Sequence, residues 1–369
     1  MPQIAGFRGL LADPAQPGSP PTRDVGRCIY RYHQIFAGPG RAFTRKNLIV
    51  AVGLSPWTEG MIRPHEETAA ADRDAELARI RSTRTHAAPF VAGFRDQPEE
   101  VDRLLRKHEG GKPTLEHTTA DGTVHRVWRI QDAELLGKLR HYFAPKKLHV
   151  LAGHDRYEAM LAYQAELAGQ GTLATYSSAN YGLACLANLD DPTLATAARH
   201  RIVRGAIDRE ALLAKARTHF IVDKLADAGG DLGKLFGALR ETVAHQPAFV
   251  AVFPGERDAW KLTLSPDVSP FAEGVAPHRA LQKLDPVVLD GMFVQRHLAG
   301  REIATTVDPA AALADPAAAL VLLVRPLTIE QIVSVDEVGA RLPAGSTAIH
   351  PPILDGLVRL AIDPDEDLV

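Results

Sequence analysis

Cysteine is scarce in this chain. Only Cys28 and Cys185 occur among 369 residues. Neither has a partner at zinc-finger or thioredoxin spacing, so nothing supports a disulfide framework, and the usage suits a reducing compartment. Cys185 lies in the apolar run 181–189 and reads as a small buried hydrophobe. Long apolar runs are missing too. No stretch approaches the roughly 18 residues of a membrane span, and no basic-then-apolar segment opens the chain. A membrane partner is therefore not expected, and the expected location is cytoplasmic. Charge of one sign is also absent: 42 Lys and Arg face 45 Asp and Glu, for a net −3. That balance offers no electrostatic case for non-specific nucleic-acid binding. The familiar chemical signatures are lacking as well. There is no Gly-x-Ser-x-Gly elbow, no Gly-x-Gly-x-x-Gly after a strand, no P-loop, no zincin helix and no aspartate-rich calcium loop. Fifteen histidines keep metal binding open without a pattern to place it, so metal ligands are unknown at this point.

What is present is the composition of a soluble globular protein, 46% hydrophobic and 24% charged, with length for one large or two ordinary domains. Apolar, β-favouring runs predict strands at 28–36, 89–94, 148–151, 181–188, 248–253, 261–264 and 319–323. Residues 47–54 fit a strand or a short helix. Helical spacing marks 68–82, 99–107, 133–142, 156–167, 208–215, 232–243, 286–300 and 329–338. Asp121-Gly122 between two strand-like flanks predicts a hairpin. The expected fold is α/β with a mixed sheet, in two closely packed lobes. Residues 1–27 form a Pro/Gly-rich segment read as loop, 28–204 an α/β domain, and 205–369 a C-terminal α/β domain.

One stretch joins fold and chemistry. Leu148-His149-Val150-Leu151-Ala152 ends at Gly153, His154-Asp155-Arg156 follows, and then come good helix formers. This is a strand, a tight turn and a helix N-terminus, carrying an imidazole and a guanidinium where backbone N–H groups lack intrahelical partners. Phosphate or carboxylate binds well at such a place. The competing reading is an ordinary turn with surface hydrogen bonds. Arg63-Pro64-His65-Glu66-Glu67-Thr68 is a second candidate, where His65 and Glu66 could furnish a base and a positioning group. Glu67 or Thr68 could equally be a plain helix cap. Thr44-Arg45-Lys46-Asn47, after Gly38-Pro39-Gly40, lacks P-loop spacing and reads as a solvated turn. His200 with Arg201, and His125 with Trp128, are weaker signals.

These motifs stand in an ordered series: Tyr30-Arg31-Tyr32-His33-Gln34, Ile62 to Thr68, Asp121-Gly122-x-x-His125-x-x-Trp128, Gly153-His154-x-Arg156-Tyr157-Glu158-Ala159, Asn188-Leu189-Asp190-Asp191-Pro192, His200-Arg201-Ile202-Val203, Leu342-Pro343-x-x-Ser346-Thr347 and Pro352-x-Leu354-x-Gly356-Leu357-Val358. In that order they resemble the DUF1015 family of uncharacterised proteins. The family's strand–turn–helix usually reads Asp-Gly-His-His-Arg-Tyr and is similar to an element of ParB-like and sulfiredoxin-like folds, whose relatives include free-serine kinases. The resemblance implies a nucleotide-dependent phosphotransferase acting on a small hydroxyl-bearing metabolite, with ATP or ADP and Mg²⁺. Gly153, His154 and Arg156 would hold phosphate. Glu66 would be the base, with His65 and Asp155 as further catalytic candidates. Arg63, His200 and Arg201 would help neutralise charge. The chain departs from the pattern in four places. Ala152 replaces the usual Asp, Asp155 the second His, and Gly345 a Lys, while Ser19-Pro20-Pro21-Thr22-Arg23-Asp24 stands for a longer N-terminal start. These departures mark a divergent member and motivate an alternative, a catalytically degenerate protein that binds a nucleotide or phosphometabolite. A ParB-like association with DNA ranks last.

Overall fold

The computed structural model describes residues 3–14, 18–38, 40–243 and 245–369. Pro39, named above in the 38–40 loop, lies outside the described residues. The chain divides into two units: residues 1–64, 68–195 and 349–369 form the first, and 65–67 with 196–348 the second. The fold is mixed α/β, as the alternation of strand and helix patterns predicts.

The first unit is built on a nine-stranded mixed sheet. Its strand order is Ile62–Arg63, Leu148–Ala152, Phe90–Phe94, Tyr181–Asn188, Arg41–Gly53, Ile29–Gly38, Val124–Ile130 and Leu115–Thr118, with Ile4–Ala5 paired to Arg41–Gly53. The period-2 alternation of a strand sorts side chains to two faces. Leu48, Val50, Val150 and Leu186 go to one core with Tyr157 and Met160, whereas Ile49, Ala51, Leu183 and Cys185 go to another with Phe7, Leu357 and Val358. Both faces are covered, so the strands read as continuous apolar runs. Helices Ala70–Thr83, Ala133–Phe143 and His154–Gln170 supply the first cover, and the chain's terminal segments line the second. The Asp121-Gly122 hairpin forms as expected, Thr118 pairing with Val124.

The second unit carries a six-stranded sheet, in the order Phe220–Leu225, Ala259–Leu264, Ala248–Val252, Ala318–Val324, His200–Arg204 and Ile303–Thr306. Every pairing in it is antiparallel. Its helix Ile329–Glu337 starts with a reciprocal capping box between Thr328 and Gln331.

Several expectations need correction. The segment 1–27 is not all loop: Ile4–Ala5, Leu10–Leu11 and Thr22–Arg23 pair in sheets. Two-residue strands are too short to show alternation. The C-terminal part does not run as one block from 205 to 369, because 349–369 belongs to the first unit, where Val358–Ala361 pairs with Leu10–Leu11 and Thr85–His86. Thr44-Arg45-Lys46-Asn47 is no solvated turn. It lies within Arg41–Gly53, and Arg45 is only 1% exposed. The helix after Thr68 begins at Ala70 without a side-chain cap, so neither Glu67 nor Thr68 caps it. The expected helix 286–300 is interrupted by a π-helical stretch, Val288–Val294.

Candidate functional site

The strand Leu148–Ala152 runs antiparallel to Phe90–Phe94 and parallel to Ile62–Arg63. It ends at Gly153, whose φ of 78° is left-handed. A Cβ there would sit 3.1 Å from the Phe90 Cα, so glycine answers both the backbone angle and the close approach. The helix His154–Gln170 starts at once, with no side-chain cap on its first turn. At the fourth residue of that helix the position is locked. The Tyr157 hydroxyl donates to the Ser55 carbonyl (2.8 Å) and accepts from the Ser55 N–H (3.0 Å). Its ring packs on Trp57 and edge-on to Phe90. The turn is thus set on a rigid base.

Arg156 reaches back across the turn. Its Nη1 donates to the Pro89 carbonyl (2.9 Å), and the guanidinium grips Asp355 through both oxygens, at 3.0 and 2.7 Å. The Arg156 side chain is 28% exposed and that of Asp355 47%. A fork holding a carboxylate in two parallel bonds is the geometry in which arginine also holds phosphate oxygens. His154 is buried and Asp155 half-buried. Arg63, on the neighbouring edge strand in register with His149, donates to the Gly60 carbonyl at 3.0 Å. Gly153, His154, Asp155, Arg156 and Arg63 are therefore all in the first unit, on adjoining strands and the helix that follows.

His65, Glu66, His200 and Arg201 belong to the second unit. Residues 65–67 are held there by backbone bonds, Leu342 N–H to the His65 carbonyl (2.8 Å) and Glu67 N–H to the Leu342 carbonyl (2.9 Å). Glu66 Oε1 accepts from the Gly345 N–H (2.8 Å), and Oε2 accepts from the Thr347 N–H (2.9 Å) and hydroxyl (2.7 Å). Because that hydroxyl donates its one proton to Glu66, His65 Nε2, 2.8 Å away, must be the donor to it. Burial pushes the Glu66 carboxyl above the ordinary carboxylate value, against the pull of its bonds to Thr347 and Gly345 and the charge of Arg199. Arg201 is committed elsewhere. It forms a bidentate pair with Asp290 (3.0 and 2.6 Å) and donates to the carbonyls of Arg199 and Gly345. His200 is buried, its Nδ1 accepts from the Val324 N–H, and burial with the Arg201 charge lowers its pKa to about 4. Gly345, where the family pattern has Lys, is the hinge of this network: it donates to Glu66, accepts from Arg201 and takes a φ of 71°.

Sequence reasoning missed a second polar cluster. Arg31 bonds to Glu109 and Asp102, Lys46 approaches both acids, and His33 faces Glu109. Beside it a cavity of about 320 Å³ is lined by Arg31, Lys46, Asp96, Asp102 and Asp190 among others. It lies where Phe90–Phe94 ends, whereas Gly153 lies where that strand begins. The Tyr-Arg-Tyr-His-Gln string was the available signal: Arg31 and His33 alternate with Tyr30, Tyr32 and Gln34, and so face the opposite side of one strand.

Residues 22–287 match the model of the DUF1015 family, described as proteins of unknown function. The chain belongs to the DUF1015 family. Among curated proteins, none matches it. Several solved structures are similar to it, among them these three. A conserved hypothetical protein from Pyrococcus furiosus is 9% identical at TM-score 0.43, with 86% of this chain and 96% of that one covered. A free serine kinase in complex with AMP is 11% identical at TM-score 0.44, with coverages of 88% and 93%. SbnI with a C-terminal truncation, from Staphylococcus aureus, is 12% identical at TM-score 0.43, with coverages of 86% and 90%. At that distance the likenesses carry no chemistry to this DUF1015 member. Among its described residues no helix is long and apolar enough to cross a membrane, and no group of three or more His, Cys, Asp or Glu could hold a metal ion.

Proposed function

We propose that this DUF1015 protein binds the phosphates of a nucleotide at the turn Gly153–Arg156. One observation carries the reading: a helix that starts without a side-chain cap, immediately after a left-handed glycine, has a guanidinium beside it that already holds an anionic group by both oxygens. The helix dipole and first-turn amides favour an anion, and the arginine adds charge-assisted bonds. His154 and Arg63 would complete the cradle. Isothermal titration with ATP, ADP and CTP, with and without Mg²⁺, tests it. Binding to one of the three is expected, weakened about tenfold or more in Arg156→Gln, since a hydrogen bond to a charged group is worth about 1.5–3 kcal/mol. No heat and no thermal shift with any of the three removes the reading.

A second reading, phosphoryl transfer to a small hydroxyl-bearing metabolite, is favoured by the state of Glu66. Burial raises its carboxyl, the direction a general base needs to work near neutral pH. His65 would orient it through Thr347. Against this, both Glu66 oxygens already accept hydrogen bonds, and Ala152 stands where the family has Asp. Magnesium arriving with a nucleotide is held chiefly by phosphate oxygens and water. Phosphorus NMR of ATP with candidate hydroxyl acceptors separates the two readings: turnover lost in Glu66→Gln supports transfer, and nucleotide binding without product leaves binding alone.

A further inference from the structure

The segment 350–356 is a strap fixed from beneath by buried donors. Arg45, 1% exposed, donates from Nη1 to the His350 carbonyl (3.0 Å) and from Nη2 to the Pro351 carbonyl. Its Nε and Nη2 also donate to Gln34 Oε1, and Gln34 in turn donates from Nε2 to the Pro352 carbonyl (2.7 Å). The Leu354 N–H donates to the Tyr32 hydroxyl, and the Gly356 N–H to the Ala87 carbonyl. Its hydrogen bonds all go to neutral oxygens, and the Asp191 carboxylate acts on it only through its charge. A buried arginine bonded to main-chain carbonyls instead of an acid is costly to desolvate and leaves the strap one position to occupy. What the strap presents at its free edge is Asp355, half exposed, gripped by Arg156 at the Gly153 turn.

We propose that the strap is an intramolecular competitor, whose Asp355 carboxylate occupies the Arg156 fork until a phosphate-bearing ligand displaces it. This rests on the reading of the Gly153 turn as a phosphate site and names its regulation. The two halves of the device differ in strength. The anchor at Arg45, Gln34 and Tyr32 is buried and permanent. The latch is an ion pair near the surface, of the kind that contributes little net stability and exchanges readily. Tethering makes the carboxylate's effective concentration high without any tight bond, so weak ligands are excluded and only a multiply charged phosphate competes. Asp355 also adds repulsion toward an incoming anion, and displacing it relieves that repulsion.

The test is ADP titration of the full chain, comparing wild type with Asp355→Asn and Asp355→Ser. The shorter serine variant withdraws the one carbonyl oxygen that an asparagine would still offer to the fork. Both variants are expected to bind ADP about threefold to fivefold tighter, the factor an exposed ion pair is worth as a competitor. In Arg156→Gln the same Asp355 replacements should give no gain, which places the effect on that fork. Equal or weaker binding by both Asp355 variants, with wild type binding measurably, overturns the competitor and leaves the phosphate site standing; Asp355 would then be a positioning partner of Arg156. ADP binding by none of the proteins overturns the phosphate site and the competitor together.

Discussion

Two arginine–aspartate pairs in this molecule are both bidentate and differ in their surroundings. Arg156 and Asp355, in the first unit, meet by two parallel bonds with side chains 28% and 47% exposed. Arg201 and Asp290, in the second, meet side-on through Nε and Nη2, at 4% and 13%. The exposed pair loses little when broken because water replaces each partner. The buried pair cannot be re-solvated, and removing one member leaves a charge without an answer. So the first pair suits exchange with a ligand, and the second suits holding His200–Arg204, the π-helical stretch and the Gly345 turn together. The sharpest way to break the comparison is to cut the buried pair. Asp290→Ala or Arg201→Ala is expected to lower stability by about 3–5 kcal/mol, read by denaturant unfolding. Replacing both by apolar residues of similar volume, Arg201→Met with Asp290→Leu, should cost much less. Single variants as stable as wild type would mean that burial does not separate the pairs.

The same contrast extends to groups that titrate. Burial lowers His86 to about 3, helped by the Arg79 charge and opposed by a backbone hydrogen bond with Tyr181. Burial lowers His125 to about 4 against the attraction of Asp121, and His200 to about 4. Each is neutral in the fold at pH 7 and protonates more readily when the chain unfolds. Their contribution is complete above the ordinary histidine value of 6.5 and is lost as pH falls from there toward about 4 and then about 3. Stability should therefore drop steeply below pH 6.5, by at most about 1.4 kcal/mol per pH unit for each histidine. Urea midpoints between pH 7 and pH 4 measure it, and His86→Leu should flatten the curve. An unchanged midpoint across that range would contradict the assignment of neutral buried rings.

How much of this was legible in the sequence depended on the range of the interaction. The strand into Gly153 and the helix out of it were readable because everything that makes them is local: an apolar run, a glycine, then helix formers. The Asp121-Gly122 hairpin was readable for the same reason. Arg45 was not. Its four-residue context looks like a charged turn, and only the pairing of Thr44 with Ile35 and Lys46 with His33 shows a strand in which Arg45 lies level with Gln34. The partners that define each candidate group are distant: Asp355 lies 199 residues beyond Arg156, Thr347 281 beyond Glu66, and Asp290 89 beyond Arg201. Spacing within a motif says nothing about them. The return of 349–369 to the first unit is the same kind of fact, since it rests on the long-range pairing of Leu360 with His86 and Leu10 with Arg359.

The smallest expected stability effect is also the one that sharpens the comparison most. Arg156→Gln removes a guanidinium whose main partner is half in solvent, so the unfolding free energy should change by no more than about 1 kcal/mol. Pro89 is buried and its carbonyl loses this donor as well, which sets the upper end of that range. If the turn binds phosphate, ADP affinity in the same variant should nevertheless fall about tenfold or more, because a charge-assisted pair of bonds to a ligand has no such replacement. Unfolding and titration on one protein preparation measure both quantities. A large loss of stability with unchanged ADP affinity would assign Arg156 the role that Arg201 plays in the second unit, a tie between distant segments. A small loss of stability with a large loss of affinity would separate the two pairs by function as well as by burial.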